Sequence, residues 1–190
     1  MKLSISKLLM AVLVFACSSS GRQTRDVNHS NRSDTSRYSD DQSTRFDHDY
    51  LEQKGDSIEI PEFHILLDLS DKAENTLSGS EETIVVYALF TGQPIEKIPE
   101  KYKDKIDVDG LFIRSYSIEL KKSRKASFNG IRFHKDIYNV LADKNIKVLI
   151  NVFSGRKSSP DNILSCDILQ EKVSDVVGKS FTLKGKLIKE

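Results

Sequence analysis

The sequence predicts a mainly β domain in residues 57–190, an antiparallel β-sandwich or barrel of about six to seven strands. Three observations carry this prediction. Short runs of β-branched and aromatic residues recur at modest spacing, several of them alternate between apolar and polar residues, and only two stretches show helical periodicity. One or two short helices and a disordered N-terminal tether complete the expected architecture.

The predicted strands follow the chain in order. The run "TIVVYALF", residues 83–90, is almost continuously apolar, which is typical of a central strand. The runs "LFIRSYSIEL" and "IKVLINVF" alternate, which is typical of strands with one buried face. The full set of predicted strand segments is 58–69, 83–90, 111–120, 146–153, 163–169 and 180–188.

Two stretches between these strands have apolar residues at helical spacing. Pro99 suits the first position of a short helix, "PEKYKDKI", whose apolar side includes Tyr102 and Ile106. Residues 135–143 form the second, with Ile137 and Leu141 on one face. We expect both to pack over the open ends of the sandwich.

The N-terminus reads as a targeting signal. Lys2 and Lys7 precede an apolar run, residues 8–16, that is shorter than the roughly 20 residues a membrane-spanning helix needs. A short apolar run behind a positive start is typical of a secretory signal peptide. The segment that follows is polar and offers nothing against which such a run could be buried.

The end of this run, "VFAC", resembles the lipobox of bacterial lipoproteins. Val14 stands three residues before Cys17 and Ala16 directly before it, while Phe15 replaces the smaller residue that is usual there. The resemblance implies that the Cys17 thiol receives a diacylglycerol, that the chain is cut before Cys17, and that the new amine is acylated. Several acyl chains anchor a protein stably in a bilayer. An ordinary cleavable signal peptide that happens to contain a cysteine is the alternative.

The resemblance also bears on location, because Ser18 and Ser19 rather than an aspartate follow Cys17. In the sorting rule of many such lipoproteins this implies the outer membrane. We expect the domain on the periplasmic face, with surface exposure as the alternative.

These features divide the chain into a signal peptide, residues 1–16, a lipidated cysteine with a disordered linker, residues 17–56, and the β domain. Between residues 18 and 50 Val27 is the only aliphatic residue, so ordering this segment would bury too little apolar surface to offset its entropy. A disordered linker of about 39 residues reaches on the order of 35 Å. Cys166, the second cysteine, is expected as a buried strand residue, although a disulfide with Cys17 would compete with lipidation.

The search for a reactive site finds weak candidates. Asp107 and Asp109 lie before a glycine as in a calcium loop, but Lys105 and Tyr116 occupy ligand positions that require carboxylates. His64, His134 and Asp68 lack the spacing of a metal site. The run "VVGKS", residues 176–180, resembles a phosphate-binding loop without its first glycine, and a turn is the better interpretation.

Two surface motifs remain. Lys121, Lys122, Arg124 and Lys125 form a basic cluster that could touch anionic headgroups, although a solvated hairpin turn explains it as well. Asp56-Ser57-Ile58 resembles an O-glycosylation motif of some Bacteroidota. A formal net charge of +1 gives no basic footprint for nucleic acid, so no nucleic-acid partner is expected.

The functional expectation is therefore an anchored binding protein. We predict no catalytic residues, no metal site, no cofactor and no enzymatic activity. The predicted role is a docking or assembly module for an envelope protein complex, held to the lipid bilayer through acylated Cys17. The alternative is a surface or periplasmic module that binds a glycan, a peptide or a host component.

Replacing the cysteine tests the anchor. Cys17→Ser removes the thiol that would be acylated, so the variant should take up no acyl label and persist as an uncut precursor. Metabolic labelling with a palmitate analogue measures this, and equal labelling of the two chains would show that the lipoprotein interpretation is wrong.

Overall fold

The computed structural model describes residues 50–190, all of which belong to one compact unit. Strands account for 53% of this part and helices for 17%, which makes the domain mainly β, as predicted. The expected signal peptide, Cys17 and most of the expected linker lie outside the described residues.

The strands of the described part form three sheets. A small sheet has the order β1-β2-β8, a mixed sheet the order β10-β12-β3-β7, and a large sheet the order β11-β9-β4-β6-β5. The strands are β1 Glu52–Lys54, β2 Ser57–Ile60, β3 Phe63–Leu69, β4 Ile84–Pro94, β5 Ile106–Asp107, β6 Gly110–Leu120, β7 Lys125–Phe128, β8 Ile131–His134, β9 Leu141–Ser154, β10 Leu164–Cys166, β11 Leu169–Lys172 and β12 Ser180–Leu187.

The large sheet is built around β4, the strand predicted to be central. It pairs antiparallel with β6 on one side and with β9 on the other. Its inward residues Ile84, Val86, Ala88 and Phe90 are buried. They face the core of the domain. On the other side of this core, the mixed sheet contributes the stacked rings of Phe63 and Phe128, whose centroids lie 4.9 Å apart.

The mixed sheet differs from the antiparallel expectation in one pair. β3 and β12 run parallel, with Ser180 opposite His64 and Gly185 opposite Leu69. A parallel pair requires a long connection. Here that connection is nearly the whole domain, because β3 is the third strand of the described part and β12 the last.

Gly185 is required by this arrangement. A Cβ placed on it would lie 2.5 Å from Cys166 Sγ and 2.6 Å from Leu69. Cys166 lies in β10, as predicted, and is half-buried. Burial, with the neighbouring Asp167 charge, raises the pKa of its thiol to about 11, so the thiol stays protonated.

The helices differ more from the predictions. Residues 99–106 contain a 3₁₀ helix, Glu100–Lys105, whose N-cap is Pro99. The second predicted helix is α2, Lys135–Asn139, and its expected second half is instead the start of β9. Leu141 pairs there with Pro94, because tertiary pairing overrides helical spacing.

Two helices were not predicted. Helix α1, Asp71–Gly79, begins at the N-cap Ser70, whose hydroxyl accepts a hydrogen bond from the amide of Ala73, and buries only Ala73 and Leu77. Helix α3, Val173–Val176, leads into a turn at Gly178 with φ +71°, so "VVGKS" is a turn before the last strand, as interpreted from the sequence.

Order also begins earlier than the expected boundary at residue 57. β1 pairs antiparallel with β2, with Gln53 opposite Ile58, and Lys54 Nζ lies 2.8 Å from Glu59 Oε2. The end of the expected linker therefore contributes a strand to the small sheet.

A buried charge on β9 tests the core. Val148 and Ile150 are fully buried, and Val148→Asp or Ile150→Asp should unfold the domain, because an unpaired buried carboxylate costs several kcal/mol out of roughly 5–15 that stabilise a domain. Thermal unfolding followed by circular dichroism measures this. Asn151→Asp, on the exposed face of the same strand, is the control and should unfold cooperatively near the wild-type temperature.

Candidate docking face

The second face of β4 carries the main candidate site. Val85, Tyr87 and Leu89 alternate with the buried residues of this strand and point to the opposite face, where each is half-buried. The polar neighbours Ser117 on β6 and Asn151 on β9 are exposed, so this face meets solvent. An antiparallel sheet usually presents polar side chains on such a face.

The neighbouring strand β9 widens this apolar surface. Phe153 lies directly opposite Val85, and Leu149 directly opposite Leu89. Directly opposite side chains in antiparallel strands are in contact distance, so the five residues form one continuous patch. We call it the docking face, defined by Val85, Tyr87, Leu89, Leu149 and Phe153.

Polar side chains border the docking face on its β6 side. Glu119, Ser117 and Ser115 lie opposite Val85, Tyr87 and Leu89 in register. The patch is therefore apolar along β4, with Tyr87 in the middle, and it is flanked by polar side chains on β6 and by Asn151 between Leu149 and Phe153 on β9. This is the layout of protein interfaces, in which aromatic residues are enriched at the centre.

A hairpin stands over one end of the docking face. β5 and β6 are joined by the two residues Val108 and Asp109, and Asp107 Oδ1 accepts a hydrogen bond from the amide of Asp109 at 2.9 Å. Gly110 follows with φ +110°, and a Cβ on it would lie 2.7 Å from the carbonyl oxygen of Gly92. Glycine is required here because its φ is positive and a Cβ would meet the backbone of the paired strand β4.

The hairpin and the sheet enclose a groove. Its volume is about 400 Å³, its floor includes Leu89 and Leu149, and the hairpin residues Ile106 and Val108 form its lip. Val108 is fully exposed, at 101% of its reference area. We call this space the hairpin groove.

A second concave surface lies where α1, the β6–β7 turn and the loop after β9 meet. This cleft, of about 870 Å³, includes most of the predicted basic cluster: Lys121, Lys122 and Arg124. Arg124 is not free, because its guanidinium binds both carboxylate oxygens of Glu74, at 2.7 and 2.5 Å. The cluster is thus partly neutralised, and its turn is held to α1.

One wall of the cleft is anchored by the buried carboxylate of Glu82. It accepts hydrogen bonds from the amides of Thr83, Lys157 and Ser158 and from the Ser158 hydroxyl, at 2.8–3.0 Å. Burial acts to raise the pKa of Glu82, but these hydrogen bonds outweigh it and lower the pKa to about 2. Ionised Glu82 therefore ties the loop after β9 to the start of β4.

The predicted histidine candidates do not come together. His64 Nδ1 on β3 lies 3.1 Å from Ser127 Oγ and 3.7 Å from Glu62, in the mixed sheet. His134, at the end of β8 in the small sheet, caps α2 by accepting a hydrogen bond from the amide of Asp136. Asp68 is exposed on β3.

The other candidates have structural partners. Asp107 holds the hairpin turn, and Lys135 pairs with Asp56 of the "DSI" motif at 2.5 Å. Within residues 50–190 no group of three or more His, Cys, Asp or Glu side chains is placed to hold a metal ion. In the same range no helix has the length and apolar character to cross a membrane. Cys17, the predicted lipidation site, lies outside the described part.

Sequence reasoning missed the docking face, although its signal was present. In "TIVVYALF" the residues that point to either face of the strand are apolar, and from sequence this pattern predicts only a central strand. Comparison of the chain with protein-family models, with curated proteins and with solved structures found no match. A function for this chain is therefore inferred from the geometry of the described domain alone.

Glu82 gives a stability prediction with a defined pH window. Its pKa is lowered from 4.5 to about 2, so the ionised form stabilises the fold fully above pH 4.5, and this contribution is lost as the pH falls towards 2. A shift of this size corresponds to on the order of 3 kcal/mol. Glu82→Gln should lower the free energy of unfolding by about that much at neutral pH. It should also reduce the loss of stability as the pH falls from 4.5 to 2, the acid limb of the stability curve.

Urea unfolding across this pH range measures both effects. Glu81→Gln is the matched control, because Glu81 is adjacent but exposed, and it should leave the acid limb unchanged. If Glu82→Gln unfolded with the wild-type pH dependence, Glu82 would not be the anchor of this loop.

Proposed function

We propose that the chain is a lipid-anchored protein of the bacterial envelope whose β domain docks another envelope protein through the docking face. The observation that carries this proposal is the apolar solvent face of β4 and β9. A contiguous apolar patch with a polar border typically marks an interaction site. Tyr87 at its centre is the expected energetic anchor of the contact.

The anchor in this proposal is Cys17, acylated in the outer membrane with the domain on the periplasmic side. It rests on the lipobox resemblance and on the serines after the cysteine. An anchor confines the domain to a layer beside the bilayer and so raises its effective concentration near a partner in the same membrane. A docking module held in this way needs no catalytic machinery.

A second candidate is supported by one detail of the same face. Tyr87 lies directly between Asn151 on β9 and Ser117 on β6. An aromatic ring flanked by an amide and a hydroxyl can stack on a sugar ring and bind its hydroxyl groups. Glycan binding is therefore the alternative function. The two functions differ in whether the bound partner is a protein or a saccharide.

Site-specific photocrosslinking in intact cells tests the docking proposal. A benzophenone amino acid in place of Tyr87 should give a discrete adduct with another protein, whereas the same probe at exposed Lys103 should not. Adding Leu149→Arg should abolish the adduct by placing a charge on the apolar docking face next to Tyr87 and Leu89. Thr182→Arg, an exposed strand residue of the mixed sheet, is the matched control and should preserve it.

Thr182→Arg should melt within about 2 °C of wild type, because substitutions at exposed positions change stability little. Leu149 is half-buried, so Leu149→Arg should melt at a lower temperature but still unfold cooperatively, and the adduct is measured well below that temperature. An adduct that survives Leu149→Arg would contradict the proposal. A Tyr87 probe that labels only saccharide would favour the glycan alternative.

A further inference from the structure

Two lysines of like charge lie side by side next to the docking face. Lys147 on β9 and Lys172 on β11 are directly opposite in register, two residues from the Leu149–Gln170 pair. Their side chains therefore share the face that carries Leu149. Within the described part of the chain neither ammonium group has a carboxylate partner.

The repulsion between Lys147 and Lys172 destabilises the sheet in a single chain. Like charges directly opposite on neighbouring strands destabilise a sheet, and a carboxylate placed between them would relieve the repulsion. Lys147 also lines the hairpin groove, together with Leu89 and Leu149. The groove thus offers an apolar floor beside two unpaired cations, which is a site for an apolar side chain with a neighbouring carboxylate.

The chain itself carries a segment of this description. At the tip of the β5–β6 hairpin the fully exposed Val108 stands between Asp107 and Asp109. The Asp109 carboxylate makes no hydrogen bond or ion pair within residues 50–190, while Asp107 uses one oxygen to hold the turn. The tip, which also forms one wall of its own groove, therefore offers an apolar side chain for the apolar floor and a carboxylate for the lysines of a second copy.

We infer that two copies of the chain associate about a two-fold axis, the hairpin tip of each seated in the hairpin groove of the other. Val108 then covers Leu89 and Leu149, and Asp109 lies beside Lys147 and Lys172. The tip and the groove are adjacent in one chain, so a two-fold axis lets both contacts form at once, as in other isologous dimers.

The expected dimer is weak and depends on salt. The groove is small, about 400 Å³, and the short hairpin tip fills only this space. The contact is therefore smaller than a stable interface, which buries roughly 1,200–2,000 Å². Its charge pairs lie near the surface and are screened by salt. Acyl anchors would place copies in one membrane and strengthen such a contact without new interactions.

A charge swap tests this arrangement by sedimentation velocity. The chain without the expected signal peptide, residues 17–190, carries Cys17→Ser, so that neither acyl chains nor the apolar run of residues 8–16 can hold two copies together. Its mass should rise from one chain to two with concentration, and less so at high salt. Val108→Ser, Lys147→Asp and Asp109→Lys should each weaken the dimer by about tenfold or more. Combining Lys147→Asp with Asp109→Lys should restore it to within about threefold of the parent.

Ile188→Ser is the matched control, because Ile188 is also an exposed aliphatic residue but lines a different surface. It should leave association unchanged. A chain that stays monomeric, a dimer unaffected by Val108→Ser, or a charge swap that fails to rescue would each overturn the inference. The dimer and the docked protein share Leu89 and Leu149, so the mass of the Tyr87 adduct separates the two proposals: an adduct with a second copy of this chain supports only the dimer, and an adduct with a different protein supports docking.

Discussion

The domain depends on β4 being paired on both edges. Hydrogen bonds to β6 and β9 hold it in the middle of the large sheet, and its register with both determines which side chains face the core. Once Ile84, Val86, Ala88 and Phe90 point inward, the residues between them must point outward, since side chains alternate along a strand. The apolar docking face is the direct result of an apolar residue at nearly every position of this strand.

Much of the large sheet could be predicted because its signals are local. The alternation in residues 111–120 and 146–153 identifies β6 and β9. In residues 146–153 the buried side chains fall on one parity, whereas in β6 Leu111 and Ile113 are buried on one parity and Leu120 on the other, on either side of an irregularity in the pairing with β4. Helix α1 gave no such signal, because it buries only Ala73 and Leu77 and is otherwise polar. Its N-cap Ser70 was the available clue. The pairing of β3 with β12 joins segments more than one hundred residues apart, and no local pattern encodes it.

The candidate sites also differ in whether a local sequence pattern encodes them. The proposed lipidation site at Cys17 rests on a short sequence motif, whereas the docking face, the hairpin groove and the Lys147–Lys172 pair exist only once strands are in register. Glu82 also could not be recognised from sequence, because its donors Lys157 and Ser158 lie far along the chain. Glu81 and Arg156, next to these anchored segments, both have positive φ, so the anchor holds strained backbone on each side.

The parallel pairing of β3 with β12 has a consequence for biogenesis. β12 lies inside the mixed sheet, between β10 and β3, and it follows β3 by more than one hundred residues, so it leaves the ribosome well after β3. Until it emerges, β3 has β7 as a neighbour on one edge only. The nascent chain therefore cannot complete its core until β12 has emerged. Chains released before β12 would expose the free edge of β3 to proteases.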